Sequence, residues 1–269
     1  MNINIANQKA VSNRLTKLFA TGKKSLLNIY CTAGFPNLED TLPVIKALEK
    51  SGADLVEIGI PYSDPLADGP VIQQSGSKAL ENGMSVNVLL EQLSALRKEV
   101  DLPVVLMGYL NPVLQYGIEA FCKKCEEVGI DGLILPDLPV QQYIDNYQPL
   151  FEKHNLSNIF LITPRSSEKR IQYLDQCSSG FIYAVSSLST TGSKNANLNS
   201  SDAYLERIGN MNLKNPILTG FNIKDKASFD LATKHTQGGI IGSAFIRHIE
   251  NSTNLEEDIQ QFVHSIKRQ

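Results

Sequence analysis

LLNIYCT (26–32), TLPVIKALEKSGA (41–53) and DLVEIGI (54–60) follow one another, with a short connection between the first two. The first and third are strand-length, rich in Ile, Val and Leu, and lack clean polar alternation. Parallel strands covered on both faces read this way. The middle segment places apolar residues at three- and four-residue spacing, and Gly52 stands where a helix C-cap glycine belongs. The stretch is a strand–helix–strand unit, and the rest of the chain repeats it.

Further strand-like runs are PVVLMGY (103–109), DGLILPD (131–137), NIFLITP (158–164), GFIYAVS (180–186), PILTGF (216–221) and GGIIGSAF (238–245), which brings the count to eight. Helical patterns lie between them: VNVLLEQLSALRKEV (86–100), IEAFCKKCEEVG (118–129), QQYIDNYQPLFEKH (141–154), SEKRIQYLDQC (167–177), DAYLERIG (202–209) and KDKASFDLATKH (224–235). Segments 10–22 and 254–267 read as additional N- and C-terminal helices. Alternation repeated eight times predicts an α/β fold, a (β/α)8 TIM barrel spanning 1–269 as a single domain, with no linker or low-complexity stretch dividing it. A doubly wound open sheet is the alternative, because periodicity does not report closure; the count of eight favours the barrel.

Composition narrows the function classes. The 42% hydrophobic and 20% charged residues describe a globular chain with a substantial core. A net charge of −3 with scattered basic residues gives no nucleic-acid footprint. No apolar run reaches bilayer length. The polar start MNINIANQKAVSNRL (1–15) lacks the apolar core of a signal peptide, so a cytoplasmic location is expected. Four cysteines in 269 residues are no disulfide framework. Cys122 and Cys125 form a C-x-x-C inside a helical stretch with no second pair and no finger-like histidine spacing, so packed helix cysteines are expected and no metal site.

In a barrel, function gathers at the C-terminal ends of the strands and the loops that follow. Glu57 lies near the end of the second strand among Leu55, Val56, Ile58 and Ile60. A carboxyl in apolar surroundings holds its proton to higher pH, which suits proton transfer near neutrality. A structural glutamate accepting hydrogen bonds from a neighbouring strand fits the position equally well. Asp68 follows in LADGP (66–70), where an aspartate bonding its own turn backbone is the ordinary reading. Gly220, at the end of the seventh strand, and Gly242 with Ser243, at the end of the eighth, stand where barrels often hold a phosphate on backbone N–H groups. TTG (190–192) is a third glycine-bearing loop.

EIGIPYSDPLADGPVIQ (57–73) closely resembles the signature of the tryptophan synthase alpha subunit family. The likeness continues through TAGFP (32–36), MGYLNPVLQYG (107–117), GLILPDLPV (132–140), YAVSSLSTTG (183–192) and GSAFIRHIE (242–250). It implies a (β/α)8 barrel and a reversible retro-aldol cleavage of indole-3-glycerol phosphate to indole and glyceraldehyde 3-phosphate. The family's acid–base glutamate maps onto Glu57, and the aspartate of its LADG loop onto Asp68. The resemblance further implies substrate contacts from Tyr30, Ile72, Tyr109, Tyr183 and Thr191, and a phosphate cradle of Gly192, Gly220, Asn222, Gly242 and Ser243. It implies no cofactor in this chain, and a pyridoxal-phosphate beta subunit docked at Asp64, Pro65 and PDLPV (136–140) in an alpha2-beta2 complex. Lysine is absent from all the strand ends named above, which argues against a Schiff-base aldolase.

Two segments depart from the family pattern. Ser189-Thr190-Thr191-Gly192 replaces Gly-Val-Thr-Gly, and Gly220-Phe221-Asn222 replaces Gly-Phe-Gly. Asn222 keeps a backbone N–H and tolerates positive φ better than most residues. Two other functions compete: a related phosphate-binding barrel such as indole-glycerol-phosphate synthase or a sugar-phosphate epimerase, and a non-catalytic subunit that only activates a partner. The PYSDPLADGP loop counts against the first, and the intact Glu57 and Asp68 count against the second.

Overall fold

The computed structural model describes residues 11–185, 198–220 and 222–267. Its strands are β1 (Leu26–Thr32), β2 (Leu55–Gly59), β3 (Val104–Met107), β4 (Gly132–Ile134), β5 (Ser157–Asn158), β6 (Leu161–Ile162), β7 (Ile182–Val185), β8 (Ile217–Gly220) and β9 (Gly238–Ile241). All pair in parallel in the order β5-β4-β3-β2-β1-β9-β8-β7-β6. The two edges of this sheet, β5 and β6, are consecutive in the chain and separated only by Ile159 and Phe160. Ile159 N–H donates to the Leu133 carbonyl on one side (3.1 Å), and Tyr183 N–H donates to the Phe160 carbonyl on the other (3.0 Å). The sheet therefore curls until its edges meet in one stretch of chain, and the barrel closes there. The run expected as one strand over 158–164 is that broken strand.

Side chains alternate between two apolar cores. Leu27, Ile29, Val56, Ile58, Val104, Leu106, Leu133, Ile182, Ala184 and Ile241 face outward and pack with the helices. Leu26, Leu55, Val105, Ile134, Ile159, Phe181, Leu218 and Ile240 fill the barrel interior, together with Leu15. Leu15 comes from the helix Arg14–Ala20, which carries Leu18 and Phe19 onto the same cluster. Because both faces are apolar, the strands show no polar alternation, although their residues still point in two directions.

Gly52 and Gly129 end their helices in the left-handed conformation (φ 96° and 83°), as expected of C-cap glycines. Cys122 and Cys125 are buried free thiols in the helix Ile118–Val128. Three elements differ from the sequence reading. The last strand stops at Ile241, and Ser243 opens a helix over Ser243–Ile249. Helices Pro70–Glu81 and Leu110–Tyr116, which periodicity did not indicate, follow β2 and β3. The first buries only Ser75, Gly76 and Ala79, so it carries no large apolar stripe to read. Its small face lets it lie close to β1, with the Ser75 hydroxyl 2.7 Å from that of Thr32. Among the described residues no helix is long and apolar enough to cross a membrane.

Candidate active site

The inward positions of the strands change character towards their C-terminal ends. On β2, Leu55 belongs to the interior core, Glu57 lies one step further along, and Gly59 follows. On β1 the corresponding run is Leu26, Asn28 and Tyr30, with Tyr30 in register with Glu57. A Cβ at Gly59 would fall 1.9 Å from the Tyr30 hydroxyl, and one at Gly220 would fall 2.6 Å from the Tyr183 ring. These two glycines leave the space in which the tyrosines lie across the barrel mouth. Burial raises both phenols well above their ordinary range, so they stay neutral hydrogen-bonding groups.

Above this layer opens a cavity of about 300 Å³. Glu57 and Asp68 line it together with Tyr30, Tyr183 and Ile72, and so do Gly220, Asn222, Gly242 and Ser243. The remaining wall is largely apolar, from Met107, Leu161, Val185, Ile223 and Ile240. Such a pocket admits a flat aromatic body and offers polar groups at only a few points.

Glu57 is fully buried. Its Oε2 accepts a hydrogen bond from Asn28 Nδ2 at 3.1 Å, and its Oε1 has no partner. Burial pushes the carboxyl up to about 8; the Asn28 bond pulls it down and the Asp68 charge adds to the rise. Near neutrality Glu57 can therefore carry a proton and give it up. The alternative of a structural glutamate bonded to a neighbouring strand is partly met, since Asn28 is on β1, but among the described residues no cation pairs with the group.

Among the described residues the Asp68 carboxylate bonds a tyrosine rather than its own turn backbone. Its Oδ2 accepts from the Tyr109 hydroxyl at 3.3 Å, and that hydroxyl in turn accepts from Ala67 N–H at 2.9 Å. Burial raises the Asp68 carboxyl above its ordinary value, and the Tyr109 bond opposes the rise. Asp68 N–H donates to the Pro65 carbonyl (3.1 Å), and Gln73 Nε2 donates to the Asp68 carbonyl (2.9 Å), which ties the loop to the helix Pro70–Glu81. Tyr109, expected to touch substrate, is not among the lining residues; it braces Asp68 and stacks at 5.2 Å on Tyr62.

The family described as tryptophan synthase alpha chain matches residues 15–269. A tryptophan synthase alpha chain of Flavobacterium johnsoniae is 54% identical over 255 residues, covering 95% of this chain and 100% of the relative. One from Parabacteroides distasonis is 48% identical over 256 residues, 95% of this chain and 100% of that one. The solved tryptophan synthase subunit alpha of Legionella pneumophila superposes with a TM-score of 0.84 at 34% identity, over 95% of this chain and 97% of that chain. The chain belongs to the tryptophan synthase alpha chain family. As a member it is a lyase of tryptophan biosynthesis.

In this chain the cavity brings together Glu57, Asp68, Tyr30, Ile72 and Tyr183 with Gly220, Asn222, Gly242 and Ser243. Thr191 and Gly192 lie outside the described residues. Asn222 has φ 29°, the positive sign that its residue type tolerates. Asp64 and Pro65 sit outside the cavity on the same loop as Asp68, beside Leu66, which is 89% exposed. Asp137, in the PDLPV segment, accepts from Leu110 N–H at 2.9 Å. Sequence reading missed Lys224 and Arg247, which also line the cavity. A signal was there: Lys224 follows Asn222 by two residues, and Arg247 stands one helical turn after Ser243.

Proposed function

We propose that the chain cleaves indole-3-glycerol phosphate to indole and glyceraldehyde 3-phosphate, with Glu57 as acid–base catalyst and Asp68 as the charge that steadies the ring. The carrying observation is Glu57: a fully buried carboxyl in the cavity wall, poised near 8, with one amide partner and no paired cation among the described residues. Protonated Glu57 gives its proton to indole C3, making a ring cation whose N–H faces the Asp68 carboxylate. Glu57, now a carboxylate, takes the hydroxyl proton from the first glycerol carbon as the C–C bond breaks. The electrons of that bond return to the ring, indole and the aldehyde separate, and Glu57 is left protonated as at the start. The apolar wall suits the indole, while backbone N–H groups at Gly220, Asn222, Gly242 and Ser243 suit the phosphate, with Lys224 and Arg247 adding positive charge. In this reading Thr191 contacts the substrate and Gly192 the phosphate.

The same reading supplies a partner. A pyridoxal-phosphate beta subunit would dock on the exposed loop of Asp64, Pro65 and Leu66 and the PDLPV segment, within an alpha2-beta2 complex. Unsupported βα loops move, and a partner seated on this one would hold Asp68 in place and raise the cleavage rate. We place the chain in the cytoplasm as one barrel domain over 1–269, on its membership of a biosynthetic enzyme family. The test is indole release from indole-3-glycerol phosphate by the purified chain, titrated with its beta partner. Cleavage that rises and saturates with the partner is expected. No indole under any condition would overturn the activity, and a rate flat through saturation would remove the partner.

A further inference from the structure

Asn28 stands at an interior position of β1 where the neighbouring inward residues Leu26, Leu55 and Ile240 are aliphatic. Like Glu57 it is fully buried. Its Nδ2 donates to Glu57 Oε2 at 3.1 Å, and no other side-chain atom reaches Glu57 among the described residues. The bond leaves two buried acceptors without partners, Asn28 Oδ1 and Glu57 Oε1. A polar pair so placed costs stability, because each unpaired acceptor loses its water and gains nothing. Leu or Val at this position would extend the interior core without that cost.

We propose that Asn28 is a positioning residue for Glu57: its amide pins Oε2 and leaves Oε1 as the oxygen that exchanges protons with the substrate. The inference rests on the acid–base role of Glu57 set out above and adds to it which oxygen works and what orients it. A primary amide suits the task because it offers N–H donors and a carbonyl acceptor side by side. When Glu57 is a carboxylate, Nδ2 donates to Oε2. When Glu57 is protonated on Oε1, Oε2 is a carbonyl oxygen and the same N–H still donates to it. The hydrogen bond thus survives both halves of the proton cycle, and the carboxyl does not have to turn between them. An acid or a cation at position 28 would favour one protonation state over the other; an amide holds both.

The other groups that act electrostatically on Glu57 are Asp68 from the loop after β2, Tyr30 and Cys31 from β1, and Tyr183 from β7. Burial keeps the phenols and the thiol neutral through the working range, so Asp68 is the charged neighbour. Asn28 is the group that holds the Glu57 proton affinity down against burial.

The test is steady-state cleavage of indole-3-glycerol phosphate by the full chain across pH, comparing wild type, Asn28→Leu, Asn28→Asp and Glu57→Gln. Asn28→Leu is expected to lose roughly ten- to a hundredfold in kcat, the scale of a misplaced catalytic group, with KM changed less than about twofold. Cleavage starts from protonated Glu57, and loss of the bond lets its pKa rise, so the alkaline limb of the profile should move to higher pH. Asn28→Asp keeps size and shape, guards against a Leu variant that does not fold, and should move the limb further up by adding a like charge. A wild-type kcat and profile in the folded Leu variant would overturn the proposal. So would an unmoved limb in the Asp variant, which would make Asn28 a merely structural residue. Glu57→Gln separates the two levels. If it stays active, the role of Glu57 itself fails; if it is dead while both position-28 variants behave as wild type, only the Asn28 inference fails.

Discussion

The barrel has buried carboxylates at both ends, and they are treated oppositely. At the end where the strands begin, Asp131 is met by Arg97 at 2.8 Å and Arg14 at 3.4 Å, and it accepts backbone N–H bonds from Val104 and Arg14. Asp54, at the same end, accepts from Lys23 at 2.5 Å, Lys267 at 2.7 Å and Leu27 N–H at 2.8 Å. At the other end Glu57 has one amide and Asp68 one phenol. A buried carboxylate surrounded by cations and N–H groups serves as a fastener between chain segments. One left with a single weak partner has its proton affinity raised and is free for chemistry.

The largest effect that this contrast predicts is at Glu57. Glu57→Gln keeps the shape and removes the proton, and should cut cleavage about 10²–10⁴-fold, read as indole release. The same variant has a stability signature. Glu57 titrates near 8 in the folded chain against an ordinary 4.5, so the folded chain keeps a proton that the unfolded chain gives up. Its contribution to stability is therefore present below about pH 4.5 and is lost as pH rises through 8. Glu57→Gln should flatten that decline and raise Tm relative to wild type at pH 8 and above. Equal melting curves there would mean that the carboxyl is not held as described.

Asp131→Ala should do the reverse. It strands Arg97, whose side chain is 16% exposed, and breaking a buried pair in this way typically costs about 3–5 kcal/mol, read by urea unfolding. Turnover per folded molecule should stay at the wild-type value; a drop in kcat would erase the division between the two ends. Asp68→Asn removes the charge beside the ring and should lower kcat roughly a hundred- to a thousandfold, with stability unchanged or slightly improved. Normal turnover would return Asp68 to the status of a loop residue. Lys23→Ala is the mildest case. The side chain is 52% exposed and Lys267 remains on Asp54, so the loss should fall below about 1 kcal/mol. A larger cost would show that the two lysines do not substitute for each other.

Much of this was legible along the chain. Strand and helix order, the C-cap roles of Gly52 and Gly129, and the place of Glu57 near a strand end all depend on local spacing, which sequence carries directly. The signature around Glu57 and Asp68 told the family. Helix Pro70–Glu81 escaped because it packs on Ser75, Gly76 and Ala79, and a face of small residues leaves no periodic apolar signal. Lys224 and Arg247 escaped because their spacing from Asn222 and Ser243 puts each near a site residue but does not say that both belong to the wall of one cavity.

Sequence by itself determined that Glu57 would be a carboxyl among apolar neighbours, and left open whether it was structure or chemistry. Only the tertiary structure decided which partners each acid meets. Asp131 and Glu57 both belong to apolar strand segments, yet one meets two arginines and the other meets Asn28 from β1. Those partners lie 117, 34 and 29 residues away in sequence. A pKa depends on charge and solvent within a few ångströms, and closure of the barrel sets those distances.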